Sequence, residues 1–293
     1  MLANKVDKLF KDVKSIPTLP PVVQKVLASI NDPKVGAKQL AEIITTDQSI
    51  TSRVLKLVNS SFFGLRGKVV NIHHAVTLLG FSTIRQILLG VSICKNFKDL
   101  KGAGDFSGEN FWEHSIATAS LARYLAKLSS SVEPDIAYTV GLIHDIGKLL
   151  LLEHHTERFV EALSKASRES IPLNEAETAI FEVDHTDVGN WLFKKWSLPN
   201  NARRAVKNHH TVKTDVISSA SDDALTAICY FSNALAHRYE IGSSGNPASD
   251  LKDDEFKKFF GVDPEATGID TIKLKEEVEI HLEILGITEG AGV

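Results

Sequence analysis

Apolar residues recur along this chain at the spacing of a helix rather than of a strand. After Pro20-Pro21, residues Val22, Val23, Val26, Leu27 and Ile30 fall on one helical face, and Asp32-Pro33 ends the run. Downstream, Asp47 is placed to cap a helix through "QSITSRVLKLVNSS", and Asn174 with Glu177 reads as a capping box before "AETAIFEV". No segment alternates as a half-buried strand does, so the pattern predicts an all-α protein. Gly/Ser-rich breaks at 100–110 and 241–250 divide it into an N-terminal helical lobe (1–106), a second helical lobe (107–240) and a helical tail (241–293). In the tail, Phe256, Phe259 and Phe260 are expected to anchor on the core, and Ile272, Val278, Leu282 and Leu285 to form an amphipathic stripe.

Composition changes this picture little. With 43% hydrophobic and 24% charged residues in 293, the chain has the material for a substantial core. The N-terminus lacks the apolar stretch of a signal peptide, and the richest apolar runs, 84–94 and 140–152, are short and interrupted by charge. A cytoplasmic protein with no membrane association is therefore expected. Cys94 and Cys229 form no CxxC pair and read as packing thiols. A formal charge of −4 supplies no general attraction to a phosphate backbone, which argues against nucleic acid as the main partner.

The histidines carry the candidate chemistry. His114 shares a helical stripe with Leu121, Leu125 and Leu128, and His144 falls on the face of Ile136, Val140 and Ile143, with Gly147 just past it as an expected helix terminator. His185 stands near a helix start in "VDHTDVGNWLFKKW", and His209-His210 closes "NNARRAVKNHH". Imidazoles and a carboxylate are donors suited to iron, manganese, nickel or zinc, and inward-facing donors from several helices can converge on one or two divalent ions. The competing reading makes each histidine a hydrogen-bonded core or surface residue.

The ordered set His114, His144-Asp145, His185 and His209-His210 resembles the HD superfamily of metal-dependent phosphohydrolases, most closely its HDOD branch of bacterial signalling modules. "IPTLPPVVQKVLASIND", "LAEIITTDQSITSRVLKLVNSSFFG" and "IHHAVTLLGFSTIRQILL" are similar to successive HDOD signatures, and "FWEHS", "GLIHDIGKLLL" and "NHH" continue the match over roughly 15 to 240. The resemblance implies an HD-like second lobe. His114, His144, His185, His209 and His210 would be ligands, Asp145 would ligate or bridge metals, and Lys148 would meet a substrate phosphate if the protein is active.

Two departures limit that transfer. Where active relatives supply a second aspartate, "ALTAICYFSNALAHRY" has Asn233, an amide that keeps an acceptor oxygen but lacks the charge. Asp222 and Asp223 precede that helix and suit N-capping. The Gly-Tyr-Pro signature of the cyclic-dinucleotide phosphodiesterases is absent after the histidine pair. The leading expectation is a bacterial signal-transduction module that works through contact with partner signalling proteins and keeps a degenerate metal site. An active phosphohydrolase is the alternative. A third reading makes 34–68, with six Lys or Arg against Glu42 and Asp47, a helix-turn-helix placing Arg53 and Lys56 on DNA.

Overall fold

The computed structural model describes residues 2–14, 16–28, 36–60, 63–97, 100, 102–104, 106–211, 223–247 and 251–288. Among them no strand forms; an isolated antiparallel bridge joins Ala103 to Phe106. In chain order the helices are α1 (Leu2–Leu9), α2 (Pro21–Ala28), α3 (Ala37–Thr45), α4 (Gln48–Val58), α5 (Ile72–Phe97), α6 (Gly108–Ser129), α7 (Pro134–Ile143) and α8 (Ile146–His154). They continue with α9 (Thr156–Glu169), α10 (Leu173–Phe181), α11 (His185–Lys195), α12 (Asn200–Asn208), α13 (Ala224–Arg238), α14 (Asp253–Phe260) and α15 (Thr271–Leu285). The all-α expectation holds. Asp32-Pro33, Lys34 and Asp222 lie outside the described residues.

The helices form two compact units, Met1–Ile16 with Leu100–Lys275, and Pro17–Asp99 with Glu276–Val293. Residues 1–16, expected with the N-terminal lobe, group with the larger unit for a physical reason. The Phe10 ring stacks on Trp191 at 5.2 Å, and Trp191 Nε1 donates to Asp7 Oδ1 at 2.7 Å.

In the smaller unit the apolar spacing does what it predicts. Leu40, Ala41 and Ile44 of α3 and Ile50, Val54, Leu57 and Val58 of α4 are buried. Asp47 caps α4, accepting from the Ile50 amide at 3.0 Å. Gly80, at φ 82, bends α5 by 111° between Ile72–Phe81 and Thr83–Phe97, a backbone conformation that L side chains rarely adopt. Most apolar side chains after the bend, among them Ile84, Leu88, Val91 and Phe97, are buried in the core. No single helix among the described residues is long and apolar enough to cross a membrane. Arg53, placed on DNA in the third reading, donates from Nη1 to the Leu285 carbonyl at 3.1 Å.

The larger unit is built on α6, buried almost continuously from Phe111 to Leu125 and packed against α7 and α13. The tail's phenylalanines pack as expected: Phe256, Phe259 and Phe260 surround Phe231, with ring centroids 5.3 to 5.8 Å away. Of the predicted stripe, Val278, Leu282 and Leu285 are buried but Ile272 is 71% exposed.

Candidate metal centre

The centre lies within the larger unit, where six short segments deliver polar side chains into an apolar interior. α6 carries His114, the junction between α7 and α8 carries His144 and Asp145, and α8 carries Lys148 in its first turn. His185 opens α11, His209 and His210 follow α12, and α13 carries Asn233. His114, His144, Asp145, Lys148, His185 and His209 are each at most 1% exposed. Burying so many polar groups is unfavourable unless they find partners.

Gly147, expected to end a helix, is instead inside the first turn of α8. A Cβ there would sit 2.0 Å from the His185 carbonyl oxygen, so the missing side chain lets the start of α11 approach α8 and brings His185 to Asp145.

The donor atoms form two sets that share one carboxylate. In the first, ligand atoms of Asp145, His185, His209 and His210 lie within 4.8 Å of one another; in the second, those of His114, His144 and Asp145 do. Asp145 Oδ1 is 3.1 Å from His185 Nε2 and 3.4 Å from His209 Nε2, while Oδ2 is 3.3 Å from His144 Nε2.

The remaining ring nitrogens show which atoms are turned inward. His144 Nδ1 bonds the Gly141 carbonyl at 2.7 Å and His209 Nδ1 the Val206 carbonyl at 2.8 Å. Only an N–H can satisfy a carbonyl, so both rings carry a proton on Nδ1 and turn Nε2 toward the Asp145 carboxylate. Both Nε2 atoms are buried and make no hydrogen bond among the described residues. An imidazole oriented through one nitrogen with the other left bare is the arrangement of a metal ligand, so the residues fit a divalent transition ion.

His185 is oriented by a residue the sequence reading assigned elsewhere. Glu177, expected as half of a capping box, is fully buried, and its Oε2 accepts from His185 Nδ1 at 2.5 Å and from the His185 amide at 2.8 Å. The box does not form because α10 starts at Leu173, behind Pro172, leaving Asn174 inside the helix. Asp223 likewise makes no side-chain cap for α13, and pairs with Arg204 at 2.8 Å. A second unforeseen residue is His237, one turn beyond Asn233, whose ring lies 4.5 Å from that of His114 and whose Nε2 has no hydrogen bond among the described residues.

Lys148 and Asn233 set the charge of the site. Lys148 Nζ donates to Asp145 Oδ2 at 2.6 Å and to Ser244 Oγ at 3.1 Å. Asn233 Oδ1 accepts from His114 Nε2 at 2.8 Å. Burial alone would raise the Asp145 pKa, but His144, Lys148 and His185 outweigh it and hold the carboxyl well below its usual range. For His185, burial opposes protonation, yet the Glu177 carboxylate wins and raises the ring to about 9. Burial dominates at His209, lowered to about 4, and holds His114 and His210 well below the usual value.

The chain matches the HDOD domain family over residues 16–212. It is 25% identical over 202 residues to an uncharacterized protein of Treponema pallidum, covering 68% of this chain and 38% of that protein. It is 30% identical over 126 residues to the uncharacterized protein YuxH of Bacillus subtilis, covering 43% of this chain and 30% of that one. The chain thus spans less than half the length of these curated relatives. Among solved structures, an HDOD domain protein of unknown function from Geobacter sulfurreducens aligns with TM-score 0.75 at 23% identity, covering 98% of both chains. A provisionally assigned phosphohydrolase from Shewanella amazonensis SB2B aligns with TM-score 0.68 at 21% identity, over 98% of this chain and 97% of that one. A provisionally assigned signal transduction protein from Marinobacter aquaeolei VT8 aligns with TM-score 0.72 at 18% identity, over 98% of this chain and 64% of that one. At these identities the likenesses show a shared fold.

Proposed function

We propose that this chain, which belongs to the HDOD family, is a signal-transduction module that works by contact with partner signalling proteins, and that its histidine cluster holds a single divalent transition ion. The observation that carries the single-ion reading is the charge at the shared carboxylate. Asp145 is the one acidic donor common to both sets, and one of its oxygens is already engaged by the Lys148 ammonium. With an amide at Asn233, the second set offers, among the described residues, no other carboxylate to balance another dication. His185, His209 and His210 with Asp145 Oδ1 would hold the ion.

A bound ion of this kind lowers the pKa of coordinated water toward about 7 and stabilises charge developing on a phosphoryl group. The residues themselves do the positioning. Glu177 fixes the His185 ring, the Gly141 and Val206 carbonyls fix His144 and His209, and Lys148 stays on Asp145 rather than facing solvent. An active phosphohydrolase is the second reading, favoured by the convergence of all five histidines on Asp145.

The deciding experiment pairs metal titration with hydrolysis of bis(4-nitrophenyl) phosphate by the wild type, Asn233→Asp and His144→Ala. One ion per chain with negligible wild-type turnover is expected. Two ions per chain, with wild-type turnover that His144→Ala abolishes, would replace the module reading with the enzyme.

A further inference from the structure

On the larger unit, α1, α11 and α12 enclose a cavity of about 440 Å³ that shares no lining residue with the histidine cluster. Four cations line it, Lys194, Lys195, Arg203 and Lys207, against two carboxylates, Asp7 and Asp187. Both carboxylates are engaged: Asp7 accepts from Trp191 Nε1 at 2.7 Å, and Asp187 pairs with Lys207 at 2.9 Å. The other three cations have no carboxylate partner among the described residues. Arg203 is oriented in advance by two amides, through Nε to Asn190 at 3.3 Å and Nη1 to Asn200 at 3.2 Å. Lys195 lies over the Trp191 ring at 4.6 Å, and Lys194 makes no side-chain hydrogen bond or ion pair among the described residues.

A concave site with a pre-oriented guanidinium and two lysines short of anions is built to receive a compact polyanion. Arginine held by neutral amides is suited to forked contacts with phosphoryl oxygens, and lysines add point charge around it. The aromatic ring does not serve as a stacking platform, since Phe10 stacks on Trp191 and Lys195 sits over its ring. We propose that this cavity is a binding site for a phosphoryl-bearing small molecule, recognised through its phosphate rather than through an aromatic base. The site backs onto the helices that deliver the histidines: Lys207 donates to Thr186 Oγ1 at 3.0 Å, next to His185, and α12 leads directly into His209.

The test is calorimetric titration of the full chain, stripped of metal and desalted, with pyrophosphate, adenosine monophosphate and adenosine. Using metal-free protein separates this site from any metal-dependent binding at the histidines. Saturable binding of both phosphate probes and none of adenosine is expected, with affinity falling as salt rises. Lys194→Glu, at an exposed position, and Arg203→Gln should each weaken binding by at least about tenfold while leaving the melting temperature unchanged. The proposal is overturned if neither phosphate probe saturates below about 10 mM, or if Lys194→Glu leaves the affinity within about twofold of wild type.

Discussion

The two donor sets that meet at Asp145 are made of the same residue types yet differ in electrostatic character. On one side His185 is backed by the Glu177 carboxylate, so the set carries two acidic groups around three imidazoles. On the other side His114 faces the Asn233 amide and the His237 ring, and among the described residues no acidic group besides Asp145 takes part. The first set is electron-rich and able to hold either a proton or a metal ion. The second has the Asp145 carboxylate alone, and adding a dication to it leaves more charge uncompensated. Donor number alone would rank the sets nearly equal; Glu177, a carboxylate behind a donor and not itself one of the converging atoms, separates them.

Removing what the sets share has the largest expected effect. Asp145→Ala deletes a ligand from both and leaves the Lys148 ammonium buried with, among the described residues, only Ser244 as a polar partner. Breaking a buried pair from one side typically costs about 3–5 kcal/mol. Thermal unfolding should show a loss of that order, and metal uptake should disappear. The double variant Asp145→Ala/Lys148→Met should recover part of the stability but none of the metal binding. Recovery of metal binding by the double variant would show that the carboxylate is not a ligand.

Protons should compete with metal at the first set. His185 titrates at about 9 without metal, so an ion must displace its proton at neutral pH. One proton displaced per ion makes the apparent affinity rise about tenfold per pH unit, or roughly a hundredfold from pH 7 to 9, and level off above. The same protonation affects metal-free stability with a definite sign. A raised folded pKa gives stabilisation that is full below about 6.5 and lost as pH rises through about 9. His209 has the opposite sign: its folded pKa near 4 makes stability fall as pH drops from about 6.5 toward 4. Metal-free protein should therefore melt highest between these limits. A melting temperature flat from pH 4 to 9 would refute both assignments.

Glu177→Gln tests the asymmetry directly. The amide keeps the shape but withdraws the charge behind His185, so affinity at the first set should fall by about 10–100-fold and its pH dependence should flatten below pH 9. Binding that survives in this variant should be sensitive to His114→Ala if the second set has become the better site.

His114 and His144-Asp145 were readable because they stand on apolar helical faces where a polar residue is unusual, and His185 and His209-His210 because the order of the whole set matched a known pattern. Glu177 was not, since a glutamate three residues after an asparagine also fits a helix start, and only the burial of the α10 face shows its partner to be His185. His237 stands beside Arg238 in the last turn of α13, where a cation complements the helix dipole, so its sequence position signals nothing more. Gly147 misled in the same way. Its role comes from the approach of α11, a contact between distant segments that helical periodicity does not encode.

The smallest predicted effect is the most specific to the second set. In Asn233→Asp the new carboxylate would lie where the amide now accepts from His114 Nε2, adding the charge that this set lacks. His114, now held neutral by burial and by the neighbouring His237 and His144, would gain an anionic partner, and its pKa should rise. That rise opposes metal binding at low pH, so the gain in affinity should be modest at pH 6, about twofold, and reach about tenfold by pH 8 as the added proton is given up. Stoichiometry by metal titration should move from one ion toward two only at the higher pH. A gain independent of pH would mean that the new carboxylate ligates without touching His114, and no gain at any pH would mean that the second set, even with its charge restored, is not a place for an ion.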